Sequence, residues 1–354
     1  MQTRAGFEEL RNNVILKDLC TGCGACYASC PFELVLDYSE GRPELIGGCQ
    51  KCGICLGVCH KYSCESSKLE EFVFGRRSTL EEVFGVSISA HVAKAFDANV
   101  SSAGQDGGAV TSLLLNAFDS GLIDGAIVSS TFNSRPWFPV PSVSWNREKI
   151  LQAAGTRYSY SPSIVALKKA TGEQLRKIAF VGTPCQVVAL RRMQKNNLRL
   201  AKCVNLVMGL FCSKSFSYKG LVLEKIEKGL GIDPIDIEKM NIKGRMQIVL
   251  KSGKVVEIPL KEIQGYAEPF CRFCGDFSAE FADLSFGGAG LDGRTLTVIR
   301  TERGRTALNA AVKSGALELR PVDEFKNALD LLVRLSVRKR KKALNSSARL
   351  ELDS

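Results

Sequence analysis

The sequence predicts an α+β or mixed α/β fold in two unlike parts: a small cysteine-built domain, then a larger domain around a mixed sheet. Three observations predict it. A four-cysteine pattern occurs twice within the first sixty residues. The texture changes near residue 86. From there, apolar runs of strand length alternate with amphipathic stretches of helical period, the order expected of mixed sheets with covering helices.

The opening MQTRAGFEELRNN is polar and mixed in charge, without the basic-then-apolar pattern of a secretion signal. The most apolar stretch, Val204–Cys212, is too short to span a bilayer, so a protein not itself membrane-spanning, acting in the cytoplasm or on the cytoplasmic face of a membrane, is expected. The 354 residues suffice for two or three domains. Fourteen cysteines without a secretion signal favour metal or cluster ligation over disulfides.

The cysteine blocks are Cys20–Cys30 and Cys49–Cys59, each reading C-x2-C-x2-C-x3-C. Between them ELVLDYSEGRPELI predicts a hairpin turning at Glu40-Gly41. Residues 65–85 are charged and free of cysteine, the composition of a connector. Gly107 and Gly108 lead into AVTSLLLNAFDSG, whose apolar 3–4 period predicts a helix stopping at Gly121. Strands are predicted at GAIVSS, Lys177–Val181, Val204–Phe211 and Leu284–Phe286, and a hairpin in QIVLKSGKVVEIPL turning at Ser252-Gly253. Val322–Lys342 reads as a helix ending in the basic run Arg338–Lys342, with a frayed tail beyond. The resulting domains are 1–75, 86–320 and a C-terminal basic helix and tail, 321–354.

Thiolates are soft anions that suit zinc and iron–sulfur clusters alike. Zinc ribbons use C-x2-C knuckles separated by longer loops. Three cysteines at strict three-residue intervals instead let one tight loop reach three corners of a cubane, while the fourth thiol reaches away to a second cluster. Cys20, Cys23, Cys26 and Cys59 are therefore expected to hold one [4Fe–4S] cluster, and Cys49, Cys52, Cys55 and Cys30 another; structural zinc is the alternative. His60 stands where proline is usual, and its service as a ligand is the competing reading there. The block closely matches bacterial-type two-cluster ferredoxin domains.

Cys271 and Cys274 form a further C-x2-C, for which a zinc knuckle and a redox pair compete. Cys185 and Cys212 each follow a predicted strand, where open sheets gather site residues. The four together suggest a third cluster; small core residues are the alternative for Cys185 and Cys212, and the expectation for Cys64 and Cys203.

Residues 86–320 resemble the family of beta subunits of coenzyme F420-reducing hydrogenase, which includes F420-linked formate dehydrogenase and sulfite reductase domains. The resemblance rests on QDGGAVTSLL, AAGTRYSYSP, GTPCQ, GLFCSKSF, FCRFCGDFSAEFAD and SFGGAGLDGRTLTVIRT, in that order. It implies FAD bound in a non-Rossmann domain, coenzyme F420 as the substrate, and a third [4Fe–4S] cluster on Cys185, Cys212, Cys271 and Cys274. It further implies flavin contact at Gln105, Asp106, Gly107, Gly108 and Thr111, at Thr156, Arg157 and Tyr158, and at Thr183, Gly287 and Gly288. Bare N–H groups at a helix start suit a phosphate, and the Thr–Arg–Tyr set offers a hydroxyl, a fixed cation and an aromatic face. A ferredoxin domain fused before such a core resembles the electron-input type of subunit in reduced-F420 dehydrogenase complexes of methane-metabolising archaea. The implied partners are subunits of a membrane-bound respiratory dehydrogenase complex or a soluble ferredoxin.

The parts need one another chemically. A deazaflavin moves hydride, an iron–sulfur cluster changes by one electron, and a flavin exchanges both. No side-chain nucleophile or histidine acid–base pair is expected, with only His60 and His91 present. Net charge is +11, yet residues 1–75 hold seven Lys and Arg against ten Asp and Glu, leaving +14 on the remainder. That excess suits a polyanionic coenzyme tail. No nucleic-acid-binding pattern accompanies it. The run RKRKK reads as a solvated face, with docking to an acidic subunit as the competing reading.

Overall fold

The computed structural model describes residues 5–39, 41–132 and 134–352, with side chains to residue 348. Its strands, in chain order, are β1 Leu36–Ser39, β2 Arg42–Leu45, β3 Ser89–Ala95, β4 Gly125–Phe132, β5 Arg135–Ser144, β6 Ile178–Gly182 and β7 Val204–Leu210. β8 Ile237–Ile242, β9 Arg245–Leu250, β10 Val255–Pro259, β11 Leu284–Gly287, β12 Thr295–Ile299 and β13 Leu317–Pro321 follow. The expected strands fall within a residue or two of these bounds. Glu40 of the expected first turn lies outside the described residues; Gly41 takes φ +79°, the left-handed backbone that glycine adopts without strain.

Eight strands form one mixed sheet in the order β13-β3-β12-β11-β7-β6-β4-β5. β4, β6, β7 and β11 run parallel at its centre, while β5 on one side and β12, β3 and β13 on the other are antiparallel to their neighbours. The central strands are almost wholly buried, as parallel strands covered on both faces must be. β8, β9 and β10 form a separate antiparallel sheet packed on Leu221, Ile226 and Phe216.

The cysteine-rich part is docked onto this frame. Its Ala25, Ala28 and Val58 share one apolar core with Ile164, Val187, Leu190 and Met193 of the larger part. Gly24 permits this contact: a Cβ there would stand 2.3 Å from Val165 Cγ1. Arg192 donates to the Gly57 carbonyl at 2.6 Å, and Lys61 Nζ to the Phe273 carbonyl at 2.8 Å.

Three expectations need correction. Residues 65–85 are more than a connector, because Ser66–Phe74 forms a helix that buries Leu69 and stacks Phe74 on Phe281. The C-terminal tail is not frayed directly after Lys342; the helix Lys326–Leu352 continues to the end of the described residues. Cys64 is exposed rather than a core residue, whereas Cys203 is buried as expected. Among the described residues, no helix is long and apolar enough to cross a membrane.

Candidate functional site

The loops of the two cysteine blocks turn on glycines with left-handed backbone, Gly22 and Gly24 in the first and Gly53 in the second. Short helices Ala25–Ser29 and Ile54–Val58 then carry the middle thiols inward, burying Cys26 and Cys55. Burial raises the pKa of Cys20, Cys23, Cys26 and Cys59, and for the first three the charge of other members of this set adds to it. Burial likewise pushes Cys55 up to about 12, helped by Cys49, Cys52 and Cys30. The crosswise sets are thus neighbours in space: Cys59 lies with the first block and Cys30 with the second. Buried thiols at such spacing resist ionising together unless positive charge is placed among them, which a cluster's irons supply. His60 is half-buried as a residue, but its ring nitrogens are shielded from solvent without a hydrogen-bond partner, and their burial lowers its pKa to about 3.

A second group forms at the ends of the central strands. Cys185 follows β6 in the first turn of the helix Pro184–Lys195, where the helix dipole favours a thiolate. Its sulfur lies 3.3 Å from Thr183 Oγ1 and 3.8 Å from the Tyr160 hydroxyl. Cys212 follows β7 and is held by its N–H on the Phe277 carbonyl. Cys271 Sγ accepts from the Ser215 N–H at 3.3 Å, and the Cys274 N–H donates to the Cys271 carbonyl. Burial pushes Cys185 up to about 11, with Cys274 and Cys212 adding to the shift; Cys271 is raised by burial and then by Cys212. The four thiols therefore lie near one another. Among the described residues, no three His, Cys, Asp or Glu side chains are set to hold a single metal ion. A four-iron cluster takes one thiolate per iron, so its ligands stand farther apart.

Beside this group a cleft opens where β4, β6 and β7 end. Gln105, Gly108, Thr111, Thr156, Arg157 and Thr183 line it, together with Tyr160 and Ser215. Gly108, at φ +70°, starts the helix Ala109–Asp119, so free N–H groups meet the cleft. Both amide atoms of Gln105 and the hydroxyls of Ser129 and Ser161 are buried there without a hydrogen-bond partner, as expected of groups awaiting a polar ligand. Arg157 spends one guanidinium nitrogen on the carbonyls of Ala153, Ala154 and Gly155, and burial lowers its pKa to about 10.

The remaining expected contacts lie outside the cleft lining. Tyr158 packs with the β8–β10 sheet. Gly107 is bare because a Cβ would meet the Gly293 carbonyl at 2.4 Å; Gly288 makes room for the Asp106 carboxylate, and Gly287 for the Phe211 ring. Neither His60 nor His91 lines the cleft. Sequence reasoning passed over Tyr160, which lines the cleft and touches Cys185, although it stands in the same motif as Arg157. It also passed over Lys339, whose ammonium reaches the Cys212 and Asp276 carbonyls.

The fold and the thiol sets define a class: an iron–sulfur electron-transfer protein in which a dicluster ferredoxin module is docked against a mixed-sheet domain with a cleft beside its own thiol group. Comparison with known proteins narrows it. Residues 12–60 match the 4Fe-4S dicluster domain model, 90–168 the N-terminal and 175–325 the C-terminal model of the coenzyme F420 hydrogenase/dehydrogenase beta subunit. The chain belongs to the family of coenzyme F420 hydrogenase/dehydrogenase beta subunits, an F420-dependent oxidoreductase family, and carries a two-cluster [4Fe–4S] domain before the family core. It is 37% identical to the coenzyme F420 hydrogenase subunit beta of Methanothermobacter thermautotrophicus over 73% of this chain and 94% of that one. It is 30% identical to a subunit of the F(420)H(2) dehydrogenase of Methanosarcina mazei over 93% of this chain and 91% of that one. The coenzyme F420-dependent sulfite reductase of Methanocaldococcus jannaschii is 32% identical over 90% of this chain and 50% of its own. A chain of the F420-reducing [NiFe] hydrogenase complex from Methanosarcina barkeri superposes with a TM-score of 0.73 at 34% identity, covering 77% of this chain and 95% of that chain.

Proposed function

We propose that this protein oxidises reduced coenzyme F420, transferring hydride to FAD in the cleft and single electrons through three [4Fe–4S] clusters to an acceptor outside the chain. The observation that carries this reading is contiguity: Tyr160 lines the cleft and its hydroxyl lies 3.8 Å from Cys185, whose charge in turn reaches Cys23 of the first ferredoxin set. Cys26 neighbours Cys55, linking the first set to the second, where Cys52 is exposed. Exposed Phe32, Leu34 and Ile46 flank that second set and suit a partner surface. The order of passage is therefore cleft, Cys185/Cys212/Cys271/Cys274, Cys20/Cys23/Cys26/Cys59, Cys30/Cys49/Cys52/Cys55, then out.

When bound, FAD supplies the exchange between hydride and single-electron chemistry. The chain's own residues position it. The N-terminal N–H groups after Gly108 offer a phosphate seat, Gln105, Thr111 and Thr156 offer polar contacts, and Arg157 a half-buried cation. The glycine-rich loop does not follow a parallel strand: β3 is antiparallel to both neighbours, which supports a flavin fold other than the Rossmann type. Residues 1–75 then serve as outlet, 86–320 as the flavin and coenzyme domain and 321–354 as a closing helix. The acceptor is a subunit of a membrane-bound respiratory dehydrogenase complex or a soluble ferredoxin, met in the cytoplasm. The sulfite reductase relative supports a second reading, in which the same input module feeds a reductase acting on another substrate.

Anaerobically purified protein should contain about twelve irons and about one FAD, and, given reduced coenzyme F420, should restore absorbance at 420 nm as a dye accepts the electrons. Cys274→Ser should remove about four irons and leave the ferredoxin clusters intact. Full iron with no flavin after reconstitution would overturn the reading; a flavin-loaded protein inert toward the deazaflavin would favour the second.

A further inference from the structure

The basic run Arg338–Lys342 does not behave as one solvated face. Along the helix Lys326–Leu352 the buried residues are Ala328, Leu332, Ser336 and Ala343, an inward stripe at helical spacing. Lys339 occupies the same stripe, three residues after Ser336 and four before Ala343. It is only half-buried as a residue, but its ammonium turns inward and donates to the Cys212 carbonyl at 2.5 Å and the Asp276 carbonyl at 2.7 Å. These carbonyls belong to one member of the second thiol group and to the residue two beyond another, Cys274. The helix is pinned there by the Arg340–Glu280 ion pair at 2.7 Å and by close packing of Arg340 and Ala343 on Gly275.

We propose that Lys339 sets the potential of the cluster held by Cys185, Cys212, Cys271 and Cys274, acting as a positioning and electrostatic residue supplied by the C-terminal helix. The inference rests on the third-cluster reading above. Reduction adds one negative charge to a cluster, so a fixed cation beside it in a water-poor setting stabilises the reduced form and raises its potential. The ammonium is held in place by its two carbonyl contacts, one of them on the ligand-bearing Cys212 itself. Other charges nearby are the buried Asp276 carboxylate and Lys214, which faces Cys271 with Arg338 and Lys342 close by. The helix begins at Lys326, directly after the residues 175–325 that match the family model, so the cation comes from outside that matched core.

The test is a redox titration of the anaerobic full-length protein, followed by electron paramagnetic resonance, with iron counted in parallel. Lys339→Gln keeps a donor and removes the charge; Lys339→Arg keeps the charge. The expected result is a negative shift of one cluster's midpoint in the glutamine variant. The two ferredoxin-type clusters should be unmoved, and the arginine variant close to the parent. An unchanged midpoint in Lys339→Gln overturns the proposal. Loss of about four irons in Lys339→Gln but not in Lys339→Arg also overturns it, in favour of a purely structural tie. Parent protein with only about eight irons would instead sink the third-cluster reading beneath it.

Discussion

Arg191 and Asp283 form an ion pair at 2.9 Å with both side chains almost fully buried. Arg191 Nε also donates to the Phe281 carbonyl, while Asp283 accepts from the Val207 N–H and the Thr301 hydroxyl. The pair thus ties the Pro184–Lys195 helix, which carries Cys185, to β7, which leads to Cys212, and to the approach of β11. Arg191→Met leaves a buried carboxylate without its cation and should cost about 3–5 kcal/mol, read as a lower Tm of the apoprotein. At this scale the ferredoxin thiols were legible because their chemistry is written in local spacing. Lys339 was not, because a lysine in a run of five cations looks solvated until its helix is seen to pack. Cys64 misled in the opposite direction: cysteine is usually buried, yet this one falls just after the docked module and stays outside.

Among the elements, the helix Ala109–Asp119 ties sequence to site most directly. Its apolar period and its glycine start were both readable, and it forms as expected. The reason for two consecutive glycines is tertiary: a Cβ on Gly108 would stand 2.4 Å from the Val100 carbonyl, and one on Gly107 equally close to Gly293. Gly108→Ala should therefore tilt the helix start out of the cleft, costing about 1–3 kcal/mol. Flavin retained after gel filtration should drop while iron content holds. The segment 65–85 escaped notice as a packed element because its helix buries a single leucine among charges, too weak a pattern to read without its partner Phe281. The continuation of the last helix past Lys342 escaped for a similar reason, since polar residues such as Asn345–Ser347 carry no strong period of their own. Gly287 and Gly288 read as room for close backbone approach, and the fold adds a second reason for them: a Cβ there would meet the Phe211 ring and the Asp106 carboxylate.

Across the whole molecule, the division into a thiol-rich module and a mixed-sheet domain was visible from composition, but the intimacy of their contact was not. Repeats and strand periods report what each part is, whereas Ala25, Val58 and Val187 reveal their common core only when folded together. The missing methyl at Gly24, which lets Val165 sit against the first cysteine loop, bears on how charge travels. Many electron carriers work as swinging arms that wait on diffusion to close a gap. Here the module is bolted down by apolar packing and by Arg192 and Lys61, so the gap is already closed. Internal transfer should then keep its pace in thick sucrose or glycerol solution, as followed by rapid mixing under anaerobic conditions. A rate falling in proportion to viscosity would reveal a hinge. On the proposed route, with a wire rather than an arm, solvent friction would touch only the arrival of the coenzyme and the departure of electrons to the acceptor.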